Sequence, residues 1–218
     1  MKKISPLQVS VFMSLFSLIL ALGIVTARMV GTYIPPGDFR GILIILAAAI
    51  FIYAYAFVVY RLFLLLVPLE EGVIESGTRA ELAAQVNILF YLMLFNSLIR
   101  TNFLPVPLLR LIYLALGARL GENTYSAGAL LDPPLTEIGS NCIIGHNAAL
   151  FCHAIEGQNF ALSRIKIGNN VTIGSMAIVM SGVTIEDGAI VSAGAVVKKG
   201  TYIQKGEVWA GVPAKKLR

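Results

Sequence analysis

The sequence predicts a two-part molecule: an N-terminal transmembrane helical hairpin and, from about Ile138, a left-handed parallel β-helix of six-residue repeats. Three observations predict it. The 218 residues are 57% hydrophobic and 13% charged, with a mean hydropathy of +0.79, whereas soluble domains are about a quarter charged. The excess is uneven, with long apolar runs in residues 1–119 and a glycine-rich, β-like remainder. Within that remainder an aliphatic residue returns every six positions.

The first apolar run, Leu7–Ala27, holds 21 residues without a charge, enough at about 1.5 Å per residue to cross a hydrocarbon core. It is longer than a secretory signal core of roughly 7–15 residues, although Lys2, Lys3 and a cleavable Val25-Thr26-Ala27 keep that alternative open. A second run, Gly41–Tyr60, holds 20 uncharged residues and continues past Arg61 to Leu69. Pro35-Pro36-Gly37 lies between the two and cannot continue a helix. The reading is a two-helix transmembrane hairpin over 1–69. Residues 70–117 read as interfacial, membrane-associated helices. Gln85, Asn87, Asn96 and Ser97 interrupt Leu82–Ile99, and Pro105, Pro107 and Arg110 break up Leu104–Leu116. A third span at 82–99 stays open as the alternative, and it would put the termini on opposite sides. Residues 118–218 are the β-helix domain.

Charge narrows the partners. Residues 1–119 hold nine Lys/Arg against five acids, an excess that suits an anionic bilayer surface. Lys2, Lys3, Arg61 and Arg79 flank the open end of the hairpin, against Arg28 and Arg40 at its turn, which puts both termini in the cytoplasm. No basic stripe with interleaved aromatics is present, so nucleic acid is not an expected partner. Cys142 and Cys152 make no disulfide framework and fit a reduced compartment.

The repeat begins Ile138, Ile144, Leu150, breaks for 17 residues, and resumes at Ile167, Ile173, Val179, Ile185, Val191, Val197 and Ile203. Four places after each aliphatic stands a small or β-branched residue: Cys142, Ala148, Ala154, Val171, Ala177, Val183, Ala189, Ala195, Thr201. Three hexads closing one triangular coil explain this, because a narrow prism admits only small residues at the second inward position. Gly, Asn and Asp suit the corners, where the backbone leaves strand geometry. Helices repeat every 3.6 residues and barrel strands every two, so a strict six excludes both.

These hexads, with the closing stretch VWAGVPAKKLR, resemble the hexapeptide-repeat acyltransferases, which include galactoside, maltose, serine and xenobiotic acetyltransferases. The resemblance covers roughly Leu116–Arg218, and the apolar N-terminal half looks like the membrane-anchored branch. It implies a homotrimer with active sites between neighbours and acetyl-CoA as acyl donor, with no metal. The implied acceptor is a hydroxyl or amine of a sugar, and the membrane anchor favours a lipid-linked one over a soluble one. The implied location is the inner, cytoplasmic membrane, multi-pass, with the catalytic domain on the cytoplasmic side, where acetyl-CoA is kept.

The chain has two histidines, His146 and His153. His153 precedes the loop AIEGQNFALSR (154–164) and the hexads IKIGNNVTIGS, the family's arrangement around its catalytic histidine, so the resemblance lands on His153 as general base. An imidazole titrating near pH 6.5 suits proton removal from an acceptor at neutral pH. Glu156 could orient His153 or meet the acceptor, or stand as a solvated loop acid. Position matching implies the amide of Ser175 as oxyanion donor and Ala193 along the pantetheine arm. It puts the CoA phosphates near Lys198, Lys199, Lys215 and Arg218, whose alternative is a solvated tail. His146, Cys142 and Cys152 read as structural, and Asp132, before Pro133-Pro134, as shaping an irregular coil. A γ-type carbonic anhydrase shares such a fold but needs three histidines on zinc, which this sequence does not supply. A non-catalytic membrane scaffold is the alternative of another class.

Overall fold

The computed structural model describes residues 4–101 and 104–218; Lys2 and Lys3 lie outside the described residues. Helix α1 (Pro6–Gly31) starts at a reciprocal capping box between Ser5 and Gln8, with Pro6 in the first turn where its missing N–H costs nothing. Helix α2 (Arg40–Leu66) returns antiparallel after the proline-glycine break. The two approach closely at Gly23, where an added Cβ would lie 2.5 Å from the Ile52 side chain and 3.0 Å from its backbone. Thr26 and Tyr55 share a hydrogen bond of 3.0 Å across the same contact. Outward, Ile24, Val25, Ile45, Leu46 and Ile50 are exposed, leaving the helix pair with an apolar outer surface.

A third helical segment comprises α3 (Arg79–Phe90), a π turn at Tyr91–Phe95 and α4 (Asn96–Arg100). By length and composition α1, α2 and this segment could each cross a membrane. The third differs in burial: 56% of it is buried inside the molecule, against 17% and 11% for α1 and α2. Its polar residues explain why. Tyr60 of α2 donates to Asn87 at 2.6 Å, and Tyr53 shares a 3.1 Å hydrogen bond with Ser97, so the groups that interrupt the apolar run face α2. Phe12 of α1 meets Phe90 edge-on at 5.3 Å. Both ends of the segment also meet the β domain. Just before it, the Ile74 N–H donates to the Phe160 carbonyl, and at its far end Ile99 and Arg100 share a cavity with Ala127–Ala129 and Asn147–Ala149. Helix α5 (Val106–Leu116) then leads into the coils, ending at Gly117 in the left-handed conformation (φ +105°).

Three parallel ladders form the β-helix, each residue pairing with one 18 positions on: Ile167 with Ile185 and Ile203 through Ile185, Ile173 with Val191, Val179 with Val197. The predicted aliphatics point inward, with Ile144, Ile167, Ile173, Ile185 and Val191 all buried. So do Cys142, Ala148, Val171, Ala177, Val183, Ala189 and Ala195, each with no exposed surface. Outside the hexad from Leu150, the fourth residue turns the corner with positive φ, which Asn141, Asn147 and Asn170 tolerate at 56–57°. The helix begins a coil earlier than the strict repeat, because Leu120, Ser126 and Leu130 pair with Ile138, Ile144 and Leu150. That coil escapes a six-residue count because one inward position is a serine and its spacing shortens to four.

At the break the pairing step between Ile138 and Ile167 is eleven residues longer than the 18-residue step elsewhere. The extra residues are not a simple loop over 154–164. They fold as an antiparallel hairpin, His153–Glu156 with Asn159–Leu162, whose second strand also pairs with Gly72–Val73 from the linker after α2. Phe160 and Leu162 are buried beneath it, and only the tip around Gly157 stands free. Arg164 clamps the base by ion pairs to Glu71 at 3.0 Å and Glu137 at 2.9 Å.

Candidate active site

His153 opens the hairpin, and its environment is made by a residue that the sequence left with a structural role. Asp132 ends the first coil just before the short 3-10 turn Pro133–Leu135, and its carbonyl accepts from Leu135 N–H and from Thr136 Oγ1. This pins the backbone and aims the carboxylate inward, where it is 1% exposed. Oδ2 accepts from the Cys152 N–H at 2.8 Å, the His153 N–H at 3.2 Å and His153 Nδ1 at 2.7 Å. A carboxylate on Nδ1 fixes the neutral ring as the Nδ1–H tautomer and leaves Nε2 with its lone pair. The His153 side chain is a quarter exposed.

Burial pushes the His153 imidazole down, but the hydrogen bond and charge of Asp132 outweigh it and hold the ring above the ordinary histidine value. Cys152 beside it is pushed up to about 12, chiefly by burial and then by the Asp132 charge. A thiol so protonated is a packing group. Cys142 is likewise raised by burial, and its Sγ donates to the Gly168 carbonyl at 3.1 Å.

Glu156 does not face His153. Its carboxylate pairs with Lys199 at 2.6 Å, with both side chains more than half exposed. The pair borders a cleft of about 380 Å³ between the hairpin and the Ser181–Gly182 and Lys199–Gly200 corners. Lys198 flanks that corner and is exposed, as are Lys215 and Arg218 at the C-terminus, where the Val208 N–H donates to the Arg218 carbonyl.

Ser175 and Ala193 stand one above the other at a different corner of the prism. Gly145, Ser175 and Ala193 form a column there so tight that a Cβ on Gly145 would lie 2.5 Å from the Ser175 nitrogen, and one on Gly174 2.3 Å from the Ala193 nitrogen. Beside Ser175 the corner residue is Met176, whose φ of 61° is held by the coils on either side. His146 lies on this edge too, exposed, its carbonyl accepting from the Met176 N–H. His153 leaves from the corner after Ala149–Leu150, whereas Ser175 lies before the strand paired with it, Ile178–Val179. One face of the prism therefore separates the general-base candidate from the oxyanion candidate within a single chain. Among the described residues no group of three His, Cys, Asp or Glu is placed to hold a metal.

Asp132, given only a structural role from the sequence, is the acid that stands on His153. The available signal was an acid in the coil preceding the one that carries His153, 21 residues back, in a repeat whose stacking brings successive coils together.

No curated protein matches this chain. Residues 164–199 match the model of the bacterial transferase hexapeptide (six repeats) and carry that repeat. Among solved structures, a galactoside acetyltransferase in complex with coenzyme A is 30% identical over 47% of this chain and 55% of its own, with a TM-score of 0.41. A hexapeptide-repeat-containing acetyltransferase of Vibrio cholerae complexed with acetyl coenzyme A is 24% identical over 47% of this chain and 60% of its own, with a TM-score of 0.42. A maltose O-acetyltransferase of Clostridium difficile is 18% identical over 76% of this chain and 84% of its own, with a TM-score of 0.37. The chain spans between half and two thirds of the length of the first two.

Proposed function

We propose that this chain is a membrane-anchored acyltransferase that moves an acetyl or other short acyl group from its CoA thioester to a sugar hydroxyl or amine, with His153 as general base. The observation that carries this reading is the buried Asp132 carboxylate on Nδ1 of a partly exposed histidine, at the break of a bacterial transferase repeat. A carboxylate buried to that degree costs free energy unless it is paired, and a scaffold has no use for a histidine whose outer nitrogen is left basic.

In the reaction Nε2 takes the acceptor's proton as its oxygen or nitrogen attacks the thioester carbonyl. The negative charge that forms on the carbonyl oxygen is met by the Ser175 amide. The tetrahedral species collapses, the C–S bond breaks, and the imidazolium returns the proton to the CoA sulfur. No covalent enzyme intermediate is needed. The pantetheine arm runs past Ala193, toward phosphates met by Lys198, Lys215 and Arg218. Lys199 reaches them only by leaving Glu156.

Since His153 and Ser175 lie at different corners, a second copy completes the site, in keeping with a homotrimer. The outward ladder holding Tyr125, Ile143 and Ile190 is exposed and apolar, whereas the neighbouring ladder of Arg119, Glu137 and Lys166 is charged. The apolar face is the one suited to burial against another subunit. Density for CoA in a crystal of the full chain tests the reading: it is expected between two subunits, sulfur near His153. CoA absent there at saturating concentration, or bound within one subunit, overturns it.

The hairpin of α1 and α2 crosses the bilayer of the inner membrane and returns, with both termini and the β-helix in the cytoplasm. Segment 79–100 does not cross, because both of its ends meet the one domain. Thiol labelling of Gly37→Cys and Arg218→Cys variants lacking Cys142 and Cys152 checks this. Position 37 is expected to react from outside and position 218 only from inside; the reverse sinks the topology.

A further inference from the structure

We infer that the cavity between Arg100 and the first two coils is a subsite for the phosphate of a lipid-borne glycosyl phosphate, which makes such a molecule the acyl acceptor. The cavity, of about 250 Å³, is lined by Ile99, Arg100, Ala127–Ala129 and Asn147–Ala149. Its other walls are alanines, a glycine and Ile99, so the polar groups offered to an occupant are the guanidinium, the Asn147 amide and the backbone.

Arg100 is set apart from the other arginines of the junction. Arg61, Arg79 and Arg110 each donate to a carbonyl, and Arg119 and Arg164 each pair with a carboxylate. Arg100 forms no ion pair among the described residues and is exposed. The buried Tyr91 hydroxyl lies near it, close enough to interact with the Arg100 charge. Tyr91 begins the π turn, a distortion often found at binding sites. A phosphate beside Arg100 meets the paired charge-assisted bonds that a guanidinium is shaped to give.

The distance to the reacting centre fits a sugar. Asn147 stands one coil below Ser175 and Met176, and Ala127–Gly128 one coil lower still. With strands about 4.8 Å apart, a phosphate there lies roughly 5–10 Å below the Ser175 amide on the same edge, about the reach of one sugar ring. The donor then enters along Ala193 from the other direction, and the two meet at Ser175. A lipid origin is favoured by the helix itself. Met93, 62% exposed, precedes Arg100 by about two turns and falls on about the same face, with Leu92 beside it at 56%. The inference rests on the acyltransferase reading.

Binding of dodecyl phosphate, glucose 1-phosphate and dodecyl maltoside to the full trimer in nanodiscs tests it, for wild type, Arg100→Gln and Arg100→Lys. Dodecyl phosphate is expected to bind roughly tenfold or more weakly to Arg100→Gln, with part of the loss recovered in Arg100→Lys and acetyl-CoA affinity unchanged in all three. Dodecyl maltoside, which lacks the phosphate, is expected to ignore the substitution. Equal binding of dodecyl phosphate by wild type and Arg100→Gln overturns the subsite. Glucose 1-phosphate binding as tightly as dodecyl phosphate, with the same Arg100 dependence, overturns the lipid origin. Loss of acetyl-CoA binding by wild type would instead count against the acyltransferase reading itself.

Discussion

On the proposed reading, replacing His153 by alanine is expected to lower turnover by roughly two to four orders of magnitude while leaving the fold and acetyl-CoA affinity intact. The acceptor's proton then has no base, although the thioester and the Ser175 amide remain in place. The matched control is His146→Ala. Its ring is exposed at a corner and has no carboxylate partner among the described residues, so less than about a threefold change is expected. Steady-state rates with acetyl-CoA and an acceptor, together with a binding isotherm for acetyl-CoA, make the comparison. A larger loss from His146→Ala would move the base to the other edge of the prism, and no loss from either would favour the scaffold.

Asp132→Asn is expected to cost on the order of 10²–10⁴-fold in kcat. The amide presents an NH₂ or a weaker acceptor to Nδ1, so the ring is no longer held in the tautomer that leaves Nε2 basic. Asp132 touches no reacting atom; it is a positioning residue, and the pH profile separates that role from simple misfolding. Asp132 holds His153 above the ordinary value near 6.5, so the wild-type acid limb should fall above that pH. In Asp132→Asn the limb should move to lower pH, because burial then acts unopposed. An unmoved limb, or an unchanged kcat, would remove the assignment. Stability follows with a definite sign. A histidine pKa raised by folding stabilises fully below the unfolded value and loses that contribution as pH rises through the folded one. The stability cost of Asp132→Asn should therefore be larger at pH 5.5 than at pH 8.5, as denaturant melts at the two values would show.

Much of this was written locally. A period of six with small residues at a fixed offset is a statement about a prism's interior, and it needs no knowledge of distant contacts. Uncharged runs of 20 and 21 residues around Pro35-Pro36-Gly37 likewise give an apolar hairpin directly. His153 was legible because it stands at the one place where the period fails. The first coil was not, since Ser126 and a shortened step hide it, although it stacks on the second like any other.

The partner of His153 belongs to the other kind of knowledge. Glu156 is three residues away and turns outward to Lys199, because alternate hairpin residues face opposite sides. Asp132 is 21 residues away and reaches Nδ1 because one coil of the prism returns the chain to the same edge. The helix at 79–100 follows the same division. Its sequence reads as an interfacial helix with a membrane span left open as the alternative, and in the structure Asn87 and Ser97 find their partners on α2 and both of its ends meet the β domain. The sequence by itself determined which segments repeat, which are apolar and where the repeat breaks, since those depend on spacing along the chain. Which acid faces the histidine, which face of an apolar helix is buried and which corner carries Ser175 were decided only by the tertiary structure, because stacking coils brings together residues that spacing leaves far apart.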